Sequence, residues 1–265
     1  MEIVALFKIF AFEGFLLAAA LMFVFWVLSL LIKNAGVVDI GWALSLVLLA
    51  VFYAVKGDGF LLRSALIVLM VSAWGFRLSI LLVTRMTREK REDRRYQKIR
   101  EDWKPNVEWK FLALFEFEAF LALVLSVPFL LIAVNGRPEL QAIEIIGVFI
   151  WLVGFLGETI ADEQLKKFKT DPGNKGKTCD TGLWYYSRHP NYFFEWLMWV
   201  GYFVFALGSP WGWVAAVCPF IMYHFLINVT GVPFAEAQSL ISRGEEYRRY
   251  QQSTSMFIPL PKRKI

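Results

Sequence analysis

Nine ionisable residues lie inside or at the edges of strongly apolar runs: Glu13, Asp39, Arg77, Glu116, Glu118, Glu158, Asp162, Glu195 and His224. A charge inside a bilayer is costly, so such residues face a protein interior, a counter-charge or a wet cavity, and they mark function. Glu13, Glu116 and Glu118 lie near the ends of their runs, where interfacial solvation accounts for them. The spacing of the others is informative. Arg77 and Arg88 are eleven residues apart, three helical turns, and share one stripe of a helix. Glu158 and Asp162 are four apart, and so are Asn191 and Glu195, so each pair shares a helix face. Three helices therefore carry polar ridges, which predicts a wet or ligand-filled cavity; the structural alternative is an ion-pair network that locks helix packing.

The segment Ser187-Arg188-His189-Pro190-Asn191-Tyr192 predicts a helix start, because the missing N–H of Pro190 costs nothing in a first turn. Free N–H groups, the helix dipole, Arg188 and His189 together predict an anion site, and a phosphorylated cofactor is its natural guest. Other chemistries are missing from the sequence. There is no GxGxxG, no GxSxG and no HExxH, and two histidines and two cysteines, Cys179 and Cys218, offer no metal-ligand spacing. Gly176-Lys177-Thr178 imitates the end of a P-loop, but Asp171 stands where the first glycine belongs and no strand precedes it. No metal is expected.

These residues need elements to hold them. The chain is 57% hydrophobic and 19% charged, whereas a soluble domain carries about 25% charge. Seven runs are long and apolar enough to span a bilayer, at about 5–32, 37–55, 60–84, 111–134, 139–165, 190–207 and 211–231. Backbone groups in hydrocarbon must be satisfied internally, so these are helices. The first run is too long for a cleavable signal and predicts a retained span. Residues 85–110, 166–188 and 243–264 hold ten, six and six of the 28 Lys and Arg. With seven spans these segments share one side, which Lys/Arg bias makes cytoplasmic. The expectation is an all-α integral membrane protein, N-terminus out and C-terminus in, in a bacterial inner membrane. It forms one membrane domain, with residues 1–134 enclosing substrate and 135–265 binding cofactor. The net charge of +5 then reflects topology and contact with membrane lipids rather than nucleic acid.

The stretch from Gly182 to Trp196, reading GLWYYSRHPNYFFEW, resembles the C-terminal signature of the steroid 5α-reductase family. More closely, it is similar to a bacterial branch of unknown function. Val38-Asp39-Ile40-Gly41-Trp42, Trp74-Gly75-Phe76-Arg77-Leu78, Arg91-Glu92-Asp93-Arg94-Arg95-Tyr96 and the tail from Glu246-Tyr247 to Phe257-Ile258-Pro259 fit the same branch, so the resemblance covers about residues 35–260. It implies NADPH-dependent reduction of a conjugated carbon–carbon double bond in a hydrophobic enone, a 3-oxo-Δ4 steroid or related lipid. It also implies seven helices, with the early ones around the substrate and the late ones on NADPH. By position, Asp162, Asn191 and Glu195 match cofactor-binding residues, Arg77 and Tyr186 match residues near the cofactor, and Lys169 replaces an arginine. Arg85, Arg88, Arg188, His189 and Glu236 join that set on charge and position. The family polarises the substrate carbonyl with an acid on the second helix and a tyrosine on the third. Asp39 falls near the acid position and Trp74 where the tyrosine belongs, and these two are the catalytic candidates. Asp39 can donate only when protonated, a form that burial in hydrocarbon favours.

Membrane isoprenylcysteine-type methyltransferases, which use S-adenosylmethionine, share the Arg-His-Pro-x-Tyr element and a tail like Gly244-Glu245-Glu246-Tyr247-Arg248-Arg249-Tyr250. S-adenosylmethionine carries no phosphate and calls for no cluster of cations, so the basic groups and the Asn191…Glu195 pair tip the reading towards NADPH. A non-enzymatic lipid-binding or assembly subunit is the third reading; it leaves the buried polar ridges without a purpose. The protein is expected to be a monomer.

Overall fold

The computed structural model describes residues 3–89 and 92–263. Lys90, Arg91 and Lys264, counted above among the basic residues, lie outside the described residues, as does the side chain of Lys8. The chain is helical and divides into two compact units. The first contains α1 (Ile3–Ile32), α2 (Val37–Lys56), α3 (Leu61–Glu89), α4 (Arg94–Asp102), α5 (Val107–Leu125) and α6 (Val127–Ala133), with Gly208–Gly212 packed among them. The second contains α7 (Ala142–Thr170), α8 (Leu183–Tyr186), α9 (Pro190–Ala206), α10 (Val217–His224), α11 (Val232–Arg243) and α12 (Glu245–Ser253). Among the described residues there is no strand, only an isolated bridge between Ser187 and Ser255.

Five helical segments are long and apolar enough to cross a membrane, or six if the bent pair α5–α6 counts as one span. Each expected run is helical, but α9 is seventeen residues, shorter than the other candidates. Their outer faces carry large apolar side chains left open, such as Val55 (79% exposed), Leu61 (81%) and Phe220 (74%). Apolar surface on that scale needs a lipid solvent, and it supports an integral membrane protein.

In the first unit α2 packs against α1, α3 and α5 and buries Ala43, Leu46, Leu49, Ala50 and Tyr53. Lys33, at φ 53°, closes α1, and the Asn34 N–H bonds back to the Ser29 carbonyl at 3.1 Å. This six-residue reversal caps the helix and aims α2 back along it. Pro128 breaks the long helix that would otherwise run from Val107 to Ala133, giving a 41° bend, because proline offers no N–H and crowds the turn before it. At the bend the Ser126 hydroxyl donates to the Leu123 carbonyl at 2.7 Å and lies 3.1 Å from the Tyr53 hydroxyl. Arg63, fully buried, gathers the exposed end of α6: its guanidinium donates to the carbonyls of Asn135 (2.9 Å), Arg137 (2.8 Å) and Glu139 (2.7 Å).

In the second unit α7 lies on α9 with glycines at the crossing. A Cβ on Gly154 would stand 2.7 Å from the Met198 side chain and 2.8 Å from the Phe194 carbonyl oxygen, and one on Gly201 would meet Trp151 backbone at 2.6 Å. Between membrane helices, where no hydrophobic effect drives association, such close approach supplies the dispersion contact. We expect Gly154→Leu to lower stability by roughly 1–3 kcal/mol through overpacking. It should be read as a drop in melting temperature in detergent. Gly136→Ala, whose added methyl meets nothing nearer than 3.8 Å, should leave the melting temperature unchanged.

Candidate functional site

Two polar clusters form, one in each unit. In the first, Asp39 sits in the opening turn of α2. Its Oδ1 accepts from the Tyr96 hydroxyl at 2.8 Å and its Oδ2 from the Arg95 guanidinium at 3.0 Å. Arg95 also reaches Asp93 (3.3 Å), which pairs with Arg85 at 3.0 Å. Burial pushes the Asp93 carboxyl up, but Arg95 and Arg85 outweigh it and hold it below the usual range. Glu92 ties the same loop down, accepting the Ala35 N–H at 2.7 Å and pairing with Arg100 at 3.2 Å.

Both Asp39 oxygens are thus engaged, one by a hydroxyl and one by a guanidinium. The space beside Asp39 is about 20 Å³, lined in part by Arg85, Arg95 and Tyr96, room for about one water. Trp74, 1% exposed, lies edge-on to Trp42 at 5.6 Å. The Trp42 indole N–H, one turn from Asp39 on α2, is buried with no hydrogen-bond partner. Arg77 is half-buried on α3, and Arg88 is exposed in the last turn of α3. Glu118 belongs to this cluster too, within electrostatic range of Asp39 and Arg95, so it is not the solvated end-of-span residue that its position suggested.

In the second unit the residues Ser187-Arg188-His189 enter α9 and grip the C-terminal tail. The Arg188 N–H donates to the Ser255 carbonyl (2.8 Å), and its guanidinium donates to the carbonyls of Gln251 (2.9 Å) and Thr254 (2.7 Å). Its Nε donates to Glu236 on α11 at 2.6 Å. The same Oε1 lies 3.3 Å from His189 Nε2 and 3.5 Å from the Tyr247 hydroxyl, while Oε2 accepts from Gln251 at 2.7 Å. The anion expected beside Arg188 and His189 is thus a side chain of the protein itself. A carboxylate only accepts, so the facing His189 Nε2 carries hydrogen. Burial lowers the His189 pKa below its ordinary 6.5, against the pull of Glu236.

One turn into α9 the chemistry is less complete. Asn191 Nδ2 donates to Asp162 on α7 at 3.4 Å, a long bond, and Asn191 Oδ1 is buried with no hydrogen-bond partner. Glu195 follows on the same face, half-buried, and Glu158 is buried one turn from Asp162. Lys169 is exposed in the last turn of α7, and Tyr186 is 46% exposed on α8, edge-on to Tyr185 at 5.1 Å.

The sequence matches the model of a family described as "Protein of unknown function (DUF1295)" over residues 25–254. The chain belongs to that family. No match was found among curated proteins or among solved structures. The DUF1295 match takes in both clusters, from Asp39 through Thr254. Sequence reasoning passed over Tyr96, Arg95, Asp93, Glu92, Arg100, Trp42 and Glu118 in the first cluster, and Tyr247 and Gln251 in the second, as site residues. Tyr96 stood within a quoted motif, but its pairing with Asp39 spans 57 residues and leaves no local signal.

The tail clasp has a pH signature. Unfolded His189 gains a proton as pH falls through about 6.5; folded His189 resists until a lower pH. Its contribution to stability is therefore full above 6.5 and is lost as pH falls towards the folded value. Hydrogen-exchange protection over residues 251–260, corrected for the intrinsic pH dependence of the exchange rate, should be lower at pH 5.5 than at pH 7.5, and His189→Gln should flatten that difference; an unaltered difference in the variant would refute the assignment. Glu236→Ala, which strands a nearly buried guanidinium, should cost about 3 kcal/mol, read by thermal melting in detergent.

Proposed function

We propose that the protein is a membrane reductase that uses NADPH to saturate a conjugated carbon–carbon double bond in a hydrophobic enone of the 3-oxo-Δ4 steroid type. The reading takes seven spans, with α9 and the bent pair α5–α6 each counted, and the basic loops and C-terminus in the cytoplasm of a bacterium. The observation that carries it is the buried, unpartnered Oδ1 of Asn191 beside Asp162. A buried acceptor with no donor costs about 1–3 kcal/mol, which a bound carboxamide N–H, such as that of nicotinamide, would recover. Asp162 and, one turn along α9, Glu195 supply carboxylates for the remaining amide and ribose hydrogens.

NADPH, when bound, supplies a hydride to the β-carbon of the enone. The chain's own part is to hold the substrate carbonyl and to manage charge on its oxygen. Trp42 presents a buried N–H with no competing acceptor, suited to that oxygen; a donor of this kind contributes about 3–4 kcal/mol. Tryptophan cannot release a proton, so the proton for the α-carbon is assigned to Tyr96, held 2.8 Å from Asp39. Arg188 and His189, engaged with Glu236, do not serve as phosphate ligands in this reading.

One observation favours the second reading, an S-adenosylmethionine-dependent methyltransferase. Arg188 and His189 of the first shared element and Tyr247 of the shared tail meet on one Glu236 oxygen, which joins the two sequence elements and leaves Arg188 no role with a phosphate. Equilibrium binding to the detergent-purified protein separates the two. We expect NADPH to bind and S-adenosylmethionine not to, with affinity for NADPH falling at least tenfold in Asn191→Ala. Trp42→Phe and Asp39→Asn should keep NADPH binding, and Trp42→Phe should lose about a hundredfold in turnover. Binding of S-adenosylmethionine alone would replace this function with the second.

A further inference from the structure

A cavity of about 520 Å³ opens in the second unit between the 171–182 loop, α12 and the tail. Its volume is in the range of small-ligand sites. Three cations line it from three separate segments: Lys177 from the loop, Arg249 from α12 and Lys262 from the tail. Two acids line it as well, and both are engaged. Glu246 accepts the Thr178 N–H at 2.8 Å, pinning the loop to α12, and Asp180 holds Lys262 at 3.2 Å. Lys262 is further fixed over the rings of Tyr185 (4.5 Å) and Tyr250 (5.8 Å). Lys177 and Arg249 make no ion pair among the described residues, so the cavity keeps a positive excess. Thr178 is 8% exposed, and its hydroxyl, at the cavity wall, is buried with no hydrogen-bond partner.

We propose that this cavity binds a phosphate-bearing ligand. The donors come from three separate segments, the loop, α12 and the tail, rather than from one. A planar carboxylate satisfies one fork, whereas a tetrahedral phosphoryl group presents oxygens to several. The buried Thr178 hydroxyl supplies the neutral donor that such a group orders, and the Tyr250 and Phe168 side chains give the cavity an apolar wall for whatever carries the phosphate. Gly176-Lys177-Thr178 is not a P-loop, since it does not run into a helix and the next one starts only at Leu183, yet two of its residues line this site. The inference is independent of the reductase reading, because it uses none of the residues assigned there.

Calorimetric titration of the full-length protein with inorganic pyrophosphate, with acetate as control, tests it. Pyrophosphate should bind with an affinity that falls as salt rises, and acetate should not. Lys177→Gln with Arg249→Gln should weaken binding by about tenfold or more, Thr178→Val by several fold, and Lys175→Gln, outside the lining, not at all. Two further arms find the phosphate's source. Competition by NADPH points to a soluble nucleotide; phosphatidic acid retained in native mass spectra of nanodiscs, and lost in the double variant, points to a lipid headgroup. The inference fails if neither pyrophosphate nor phosphatidic acid binds, or if a double variant that melts like the parent binds them equally well.

Discussion

A membrane-embedded chain has no water to complete its hydrogen bonds, so every helix end near the bilayer must find its partners within the protein. Here two arginines answer that demand through backbone carbonyls, and a third ties helix ends together through carboxylates. Arg63 takes the carbonyls that follow α6, Arg95 joins the loop before α4 to the start of α2, and Arg188 holds the C-terminal tail against the start of α9. Each uses several of its five donors at once, which a lysine ammonium could not do in a planar fork. Each also sits where a helix begins or ends, the place where the backbone's own ladder runs out.

That division of labour bears on how polar groups in such a chain are read. An ionisable residue in an apolar run points either to function or to the closing of a backbone gap, and sequence does not separate the two. Arg188 and His189 carry every mark of an anion site: two cations, a proline and a helix start. The structure gives them an anion from 47 residues or more away in the chain, Glu236. Asp39 resembles a buried acid; the structure pairs it with Arg95 and Tyr96 from the first turn of α4, more than 50 residues distant. In both cases the deciding partner is remote in sequence, and no local period encodes it.

What was legible was what obeys a period. Apolar runs fixed the helices to within a few residues, and the i, i+4 spacing of Asn191 with Glu195 and of Glu158 with Asp162 holds on α9 and α7. Pro190 opens its helix as its missing N–H requires. Pro128 lies inside a run read as one span, and hydropathy alone does not register the 41° break there, where Tyr53 of α2 meets Ser126. Glu118 was placed by distance along its run, but the coordinate that matters is the direction it faces, towards Asp39.

The same logic explains why the least regarded motif became the better anion site. A phosphate needs cations that the fold has not already used, and the conspicuous arginines are conspicuous because they sit at helix ends, where the backbone uses them first. Lys177 and Arg249 stand in a loop and on the exposed face of a short amphipathic helix, and neither is in an ion pair among the described residues. Their charge is therefore surplus to the fold. In a membrane chain with so many basic residues assigned to loops, a surplus that converges on a cavity with a buried, idle hydroxyl distinguishes a binding site from topology.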